Sequence, residues 1–321
     1  MTTDSPDVSS HLPALPPPWK IAAAFAIIYL SWGTTYLATT IAMAQEHMPA
    51  ALFGGVRLII AGTILLTVQF CRGQSLRITM REASGLLAVS WCLFLGANLL
   101  INIGQRQVPS GVAAVLIATT PLWMGLFGIL MPAGERLSWR GWLGLSFGFV
   151  GMLFTMAPAL RDGFSLLNDF HTLFVVGSAA SWAAGSLLSR HLAIALPHLT
   201  SAGFQMLFGG LSQACLAAPL LGEWHALPET ISPRAIGCFL YLLVFGSLLG
   251  FVAFNWLLGH VSAAKVGTYA YINPMIAVFI GACVGEPLHG WLFAGIAIIL
   301  LGVYLIRGDK PQSQEIELEP D

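Results

Sequence analysis

The sequence predicts an all-α integral membrane protein, with ten transmembrane helices arranged as two inverted five-helix repeats. Three observations lead there. Of 321 residues, 56% are hydrophobic and only 9% charged, whereas soluble domains carry about 25% charged residues. Apolar runs long enough to cross a bilayer recur along the whole chain. The two halves of the chain also match each other in order. A soluble fold of this length would have no place for so much apolar surface.

A helix crossing about 30 Å of hydrocarbon needs roughly 20 apolar residues. Runs of that length stand near 21–42, 50–70, 83–103, 110–130, 138–157, 171–190, 199–221, 235–257, 264–284 and 288–306. They are too long and too uniformly apolar for barrel strands, so helices are expected. The segments between them are short, and their basic residues divide unevenly. Lys20 precedes the first run, and Arg72, Arg77 and Arg81 separate the second from the third. Arg136 and Arg140, Arg190, Lys265, and Arg307 with Lys310 fall on the same side. The opposite side carries only Arg106, Arg161 and Arg234. A Lys/Arg excess in short loops marks the cytoplasmic face, so both termini are expected there. The setting is then a cell membrane, the inner one in a Gram-negative organism.

Residues 1–19 are polar and proline-rich and read as a disordered tail without the pattern of a cleaved signal. The expected organisation continues with a first repeat at 20–157, a linker at 158–170, a second repeat at 171–306 and an acidic tail at 307–321. Five cysteines at irregular spacing, Cys71, Cys92, Cys215, Cys238 and Cys283, read as small buried hydrophobes. A net charge of −1 offers no basic face for nucleic acid.

The internal match is the strongest organisational signal. Val108-Pro109-Ser110-Gly111 followed by Pro121 aligns without a gap to Val261-Ser262-Ala263-Ala264 followed by Pro274, and the same register pairs Asn102 with Asn255. Glu135 then falls opposite Glu286, Gly144 opposite Gly295 and Gly151 opposite Gly302. Upstream, Ser31-Trp32 matches Ser181-Trp182, and Arg57 faces Gln205. Five spans per half force the second copy to enter from the other face. Inverted repeats of this kind serve carriers, in which the two halves exchange packings to open either side. A channel or facilitative pore for small solutes is the alternative, and it has no need of the symmetry.

The chain resembles the drug/metabolite transporter superfamily, specifically its ten-helix EamA-type members. The resemblance rests on Ser31-Trp32-Gly33-Thr34-Thr35-Tyr36, Leu52-Phe53-Gly54-Gly55-Val56-Arg57, Val108 to Ala114 through Thr120-Pro121, and Gly134-Glu135-Arg136-Leu137. It covers about residues 20–306 and is looser in the second half, where Gln205 replaces the arginine and Gly285-Glu286-Pro287-Leu288 is the weaker echo. It implies export or exchange of small metabolites through a central cavity walled by both halves, with substrate identity differing among members.

Arg57 is the sharpest single residue. A buried arginine must face a wet cavity or a partner. Lying near one end of its span, it could equally snorkel to that interface. Asn98, Asn102 and Gln105 share one helix face, and Asn255 is the repeat partner of Asn102. Such amides either bond neighbouring helices or line a cavity. Trp32, Thr34, Tyr36 and Trp182 read as core packing or as an amphipathic pocket wall. Tyr269, Tyr271 and Asn273 form the polar stretch of the ninth span, and Pro121 and Pro274 mark symmetric kinks. Lys265 reads as a topology determinant, and the glycines at 141, 144, 148 and 151 as a close-packing face.

All fifteen acidic residues fall in tails, loops or span ends, which disfavours proton coupling through a midplane carboxylate. No histidine pair has metal-ligand spacing, and no phosphate-binding Gly-x-x-x-x-Gly-Lys loop occurs. No nucleophile–base set supports an intramembrane enzyme. The expectation is a secondary transporter, an exporter or exchanger, of a small organic metabolite such as an amino acid. It needs no cofactor, and its partners are the solute and the lipid bilayer.

Overall fold

The structure, a computed structural model, describes residues 16–108, 110–130, 137–155, 170–225, 230–283 and 290–307. Among these residues it is helical, with no strand. The helices are α1 (Pro18–Gln45), α2 (Ala50–Cys71), α3 (Met80–Gly104), α4 (Ser110–Ile117), α5 (Thr120–Leu130), α6 (Trp139–Thr155) and α7 (Phe170–Leu192). They continue with α8 (His198–Ser212, prolonged to Leu220), α9 (Pro233–Leu258), α10 (Ala263–Gly267), α11 (Tyr269–Cys283) and α12 (Gly290–Arg307). Five of these, α1, α2, α3, α7 and α9, are each long and apolar enough to cross a membrane. Large apolar side chains such as Leu30, Leu130 and Phe293 stand exposed on the bundle, as a lipid-facing surface requires. Pro109, Gly134 to Arg136, the 158–169 segment, Gly285 to Pro287 and nearly all of both tails lie outside the described residues.

Local chemistry sets the helix starts. Pro18 and Pro233 occupy the first helical turn, where no N–H is needed. Thr79 and Glu82 close a capping box on α3, and Ser232 caps α9 by accepting from the Ala235 N–H at 3.0 Å. The apolar run at 110–130 is not one helix: it breaks at Ala118–Thr119, and Pro121 sits in the first turn of α5. Pro274 differs, lying inside α11, whose interruption falls at Thr268.

Two helix pairs pack reciprocally through glycine. A methyl at Gly210 of α8 would sit 2.7 Å from the Gly55 carbonyl oxygen of α2, and one at Gly55 would sit 3.0 Å from the Gly210 carbonyl. Gly144 of α6 and Gly302 of α12 meet in the same mutual way, at 2.8 and 2.6 Å. Such contact lets backbones approach where apolar lipid supplies no hydrophobic drive between helices. Of the cysteines, Cys238 is buried, but Cys71 and Cys215 are exposed. The expectation of burial is corrected: in a bundle facing lipid, a cysteine in an apolar run can point outward at no cost.

Side-chain bonds define the two ends of the bundle. At one, the Glu223 carboxylate accepts from the Ala51 and Leu52 N–H groups at 2.8 and 3.0 Å and pairs with Arg106 at 3.2 Å, while Ser232 donates to Glu46 at 2.5 Å. At the other, Arg190 donates to the Val261 carbonyl and the rings of His198 and His260 lie 5.2 Å apart.

Candidate functional site

A cavity of about 140 Å³ lies inside the bundle. It occupies the half nearer Glu223, since its wall uses residues 32–39 of α1, 57–58 of α2 and 94–105 of α3. The α7, α8 and α9 helices close it from the other side with Ser178, Trp182, Met206, Ser247 and Phe251.

The Arg57 side chain turns into this space and is 6% exposed, so the snorkelling alternative does not describe it. Its guanidinium donates to the Ser247 hydroxyl at 2.8 Å, to Asn98 Oδ1 at 3.3 Å and to the Leu242 carbonyl at 3.4 Å. Its Nε has no partner among the described residues. All three acceptors are neutral, and among the described residues Arg57 forms no ion pair. It is also the one charged residue on the cavity wall as described. Dipoles alone compensate a buried cation poorly.

Backbone geometry supplies part of the wall. The α3 and α9 helices each widen into a π segment, Trp91–Asn98 and Leu242–Phe251. Wide turns leave carbonyls available to side chains. Phe94 O accepts from Gln213 at 2.8 Å, Ala97 O from Ser178 at 2.9 Å and Gly246 O from Trp32 at 3.0 Å. Next to Arg57, Gln213, Asn98 and Asn102 converge on Gly54, where a methyl would lie 2.5, 3.1 and 3.0 Å from their amide atoms. Gln213 Oε1 is buried and accepts no bond from the described residues.

The floor is aromatic. Trp32 stands 5.3 Å edge-on to Trp182, 5.2 Å from Phe254 and 4.9 Å from Tyr269, within the favourable range for ring pairs. The Trp182 indole N–H has no acceptor among the described residues.

Of the residues singled out from sequence, Trp32, Tyr36, Arg57, Asn98, Asn102, Gln105, Trp182 and Tyr269 share the cavity wall. Five do not. Thr34 bonds its own helix and the Tyr241 hydroxyl, and Gln205 accepts from Asn255 at 3.2 Å. Tyr271 donates to the Leu145 carbonyl at 3.1 Å, and Asn273 is fully buried. Thr35, Thr39, Thr120, Ser178 and Ser247 line the wall but were not anticipated, because lone hydroxyls in apolar spans usually bond their own backbone. Gln213 had a usable signal: it is an amide deep in a span, like Asn98.

The EamA-like transporter family model matches the chain twice, over residues 19–157 and 170–308. The chain belongs to the EamA-like transporter family. A relative in this family, the inner membrane transporter YedA of Escherichia coli K12, is 31% identical over 90% of each chain. The transporter YvbV of Bacillus subtilis is 27% identical over 91% of this chain and 92% of its own. A protein of Salmonella typhimurium named as a probable amino-acid metabolite efflux pump is 22% identical, over 87% of this chain and 92% of its own. Among solved structures, one described as "Crystal structure of protein" superposes with a TM-score of 0.68 at 19% identity, over 90% of this chain and 98% of that one; this is a likeness of fold. This EamA-family chain is a multi-pass membrane protein and a membrane transporter, as its family and relatives indicate.

Proposed function

We propose that the protein is an alternating-access secondary transporter that exports or exchanges a small carboxylate-bearing metabolite, an amino acid being the best fit. The observation that carries this reading is Arg57: a buried guanidinium on a cavity wall, held only by neutral acceptors. A carboxylate supplies the missing counter-charge and fits the planar fork of arginine in bidentate fashion. The open acceptor at Gln213 suits an ammonium, and the aromatic floor suits an apolar side chain. Size agrees, since an apolar cavity of about 150 Å³ holds one benzene.

Ten spans in two inverted repeats are part of the proposal. Its support is the doubled family match and the reciprocal glycine packing of helices that hold partner positions in the two halves, α2 with α8 through Gly55 and Gly210, and α6 with α12 through Gly144 and Gly302. Trp32 and Trp182, also partners, touch at the centre. The uneven spread of basic residues favours cytoplasmic termini, and in that orientation the Arg57 cavity belongs to the outer half.

Counterflow in proteoliposomes tests the reading with the twenty radiolabelled amino acids. Saturable uptake, stimulated by unlabelled solute inside, is expected. Arg57→Gln should lower it about ten- to a hundredfold, the worth of a charged hydrogen bond, and Arg57→Lys should recover part. Flux linear in concentration would instead mean a pore. No exchange by any amino acid would sink the substrate class while leaving the carrier.

A further inference from the structure

The polar cavity wall has a counterpart in the second half that lies off that wall. In the gapless register that pairs Pro121 with Pro274, Asn102 falls opposite Asn255 and Thr120 opposite Asn273, while Arg57 faces Gln205. Arg57, Asn102 and Thr120 all border the open space. Their counterparts are collapsed together or buried. Asn255 Nδ2 donates to Gln205 Oε1 at 3.2 Å, and Gln205 Nε2 donates to the Ser201 hydroxyl at 3.1 Å. Asn273 is fully buried, and neither its amide nitrogen nor its oxygen has a partner among the described residues. A buried amide with both ends unmade is costly and is kept only where another state satisfies it.

The same register brings the two π segments, Trp91–Asn98 and Leu242–Phe251, onto one another. Both segments border the Arg57 cavity, where they free carbonyls for side chains.

We propose that Gln205, Asn255 and Asn273 form the polar wall of a second binding cavity, which opens toward the opposite end of the bundle and takes the same carboxylate-bearing solute on neutral amides. This rests on the alternating-access reading above. Opening requires the Gln205–Asn255 bond to part, freeing one acceptor and one donor beside the Asn273 amide, which is unpartnered among the described residues. The second wall carries no cation. The solute is thus charge-paired at one stop of the cycle and only hydrogen-bonded at the other.

Site-directed labelling tests this without knowing the solute. In a chain whose five cysteines are replaced by serine, Thr39→Cys marks the Arg57 cavity and Asn273→Cys the second one. A membrane-impermeant methanethiosulfonate is applied to intact cells and to inside-out vesicles. Thr39→Cys should react from one face and Asn273→Cys from the other. Adding Gln205→Leu, which removes the bond closing the second cavity, should speed reaction at 273 by roughly fivefold and slow it at 39, as loss of one hydrogen bond shifts a two-state balance. Should Asn273→Cys not fold, Asn255→Cys carries the same comparison of faces, that substitution itself removing the Gln205–Asn255 bond. Position 273, or 255 in its place, reacting from the same face as 39, or from neither face even with Gln205→Leu, overturns the second cavity. A saturable, exchanging wild type with that result loses only the second cavity, whereas linear wild-type flux removes alternating access itself.

Discussion

The first-half wall of the bundle and its second-half counterpart are built from matching sequence positions yet hold opposite states. On the first, Arg57, Asn98, Asn102 and Gln105 border open space. On the second, Gln205 and Asn255 bond each other, and aromatic rings from Trp32, Trp182 and Phe254 fill the room between. The contrast separates two jobs that sequence similarity merges. Glycine contacts near the symmetric helix pairs are the same on both sides and supply the frame. The amides and the single arginine differ in partnering and supply the state.

The largest effect should come from breaking the shared frame. At Gly210 any side chain meets the Gly55 carbonyl and the Ile59 N–H at 2.7 Å, backbone that cannot step aside. Gly210→Leu should cost at least about 3 kcal/mol, the upper range for overpacking, and abolish the monodisperse peak in detergent size exclusion. Gly237→Leu is the control, since nothing lies within 4 Å of a methyl there; it should elute as wild type. Equal behaviour of the two would mean that the α2–α8 contact does not frame the halves.

A smaller loss is expected at the end near the Arg57 cavity. Glu223 is buried, caps the first turn of α2 from the other half of the chain and pairs with Arg106. Carboxylates at helix N-termini are favoured by unmet N–H groups and the helix dipole. Glu223→Ala should destabilise by about 2 kcal/mol, combining a lost cap with stranded N–H donors, read as a lower melting midpoint in detergent. Arg106→Ala should cost much less, because its side chain is 39% exposed and solvent screens the pair. An Arg106 loss as large as that of Glu223 would make the ion pair, not the cap, the tie between halves.

The frame was largely legible in the sequence, and the state was not. Apolar runs report burial in lipid directly, and ordered matches such as Pro121 with Pro274 report a duplication. They do not report where a helix breaks: the two prolines sit differently, one starting α5 and one inside α11. Nor does a polar residue's identity say whether it meets a cavity or a neighbour. Asn102 and Asn255 are the same residue at matching positions, and only packing separates them. The sequence also left Arg57 between interface and interior, because position along a span sets its depth but not its direction. Glu223 was read as a loop acid, since its partners lie 171 and 172 residues away.

The finest test lies between two adjacent threonines of the first-half motif. Thr34 donates to the Leu30 and Ser31 carbonyls and meets the Tyr241 hydroxyl, away from the cavity wall. Thr35 borders the cavity, with its hydroxyl donating to the Trp32 carbonyl at 2.8 Å, which leaves its oxygen lone pairs facing a solute. Threonine to valine keeps shape and removes only the hydroxyl. Thr34→Val should cost about 0.6 kcal/mol of stability, the mean of interhelical hydrogen bonds in membranes, and leave exchange kinetics within about twofold. Thr35→Val should raise KM roughly fivefold at unchanged expression, the worth of one neutral hydrogen bond. A reversed order of the two would place the solute beside Thr34 and Tyr241 rather than beside Thr35 and Arg57.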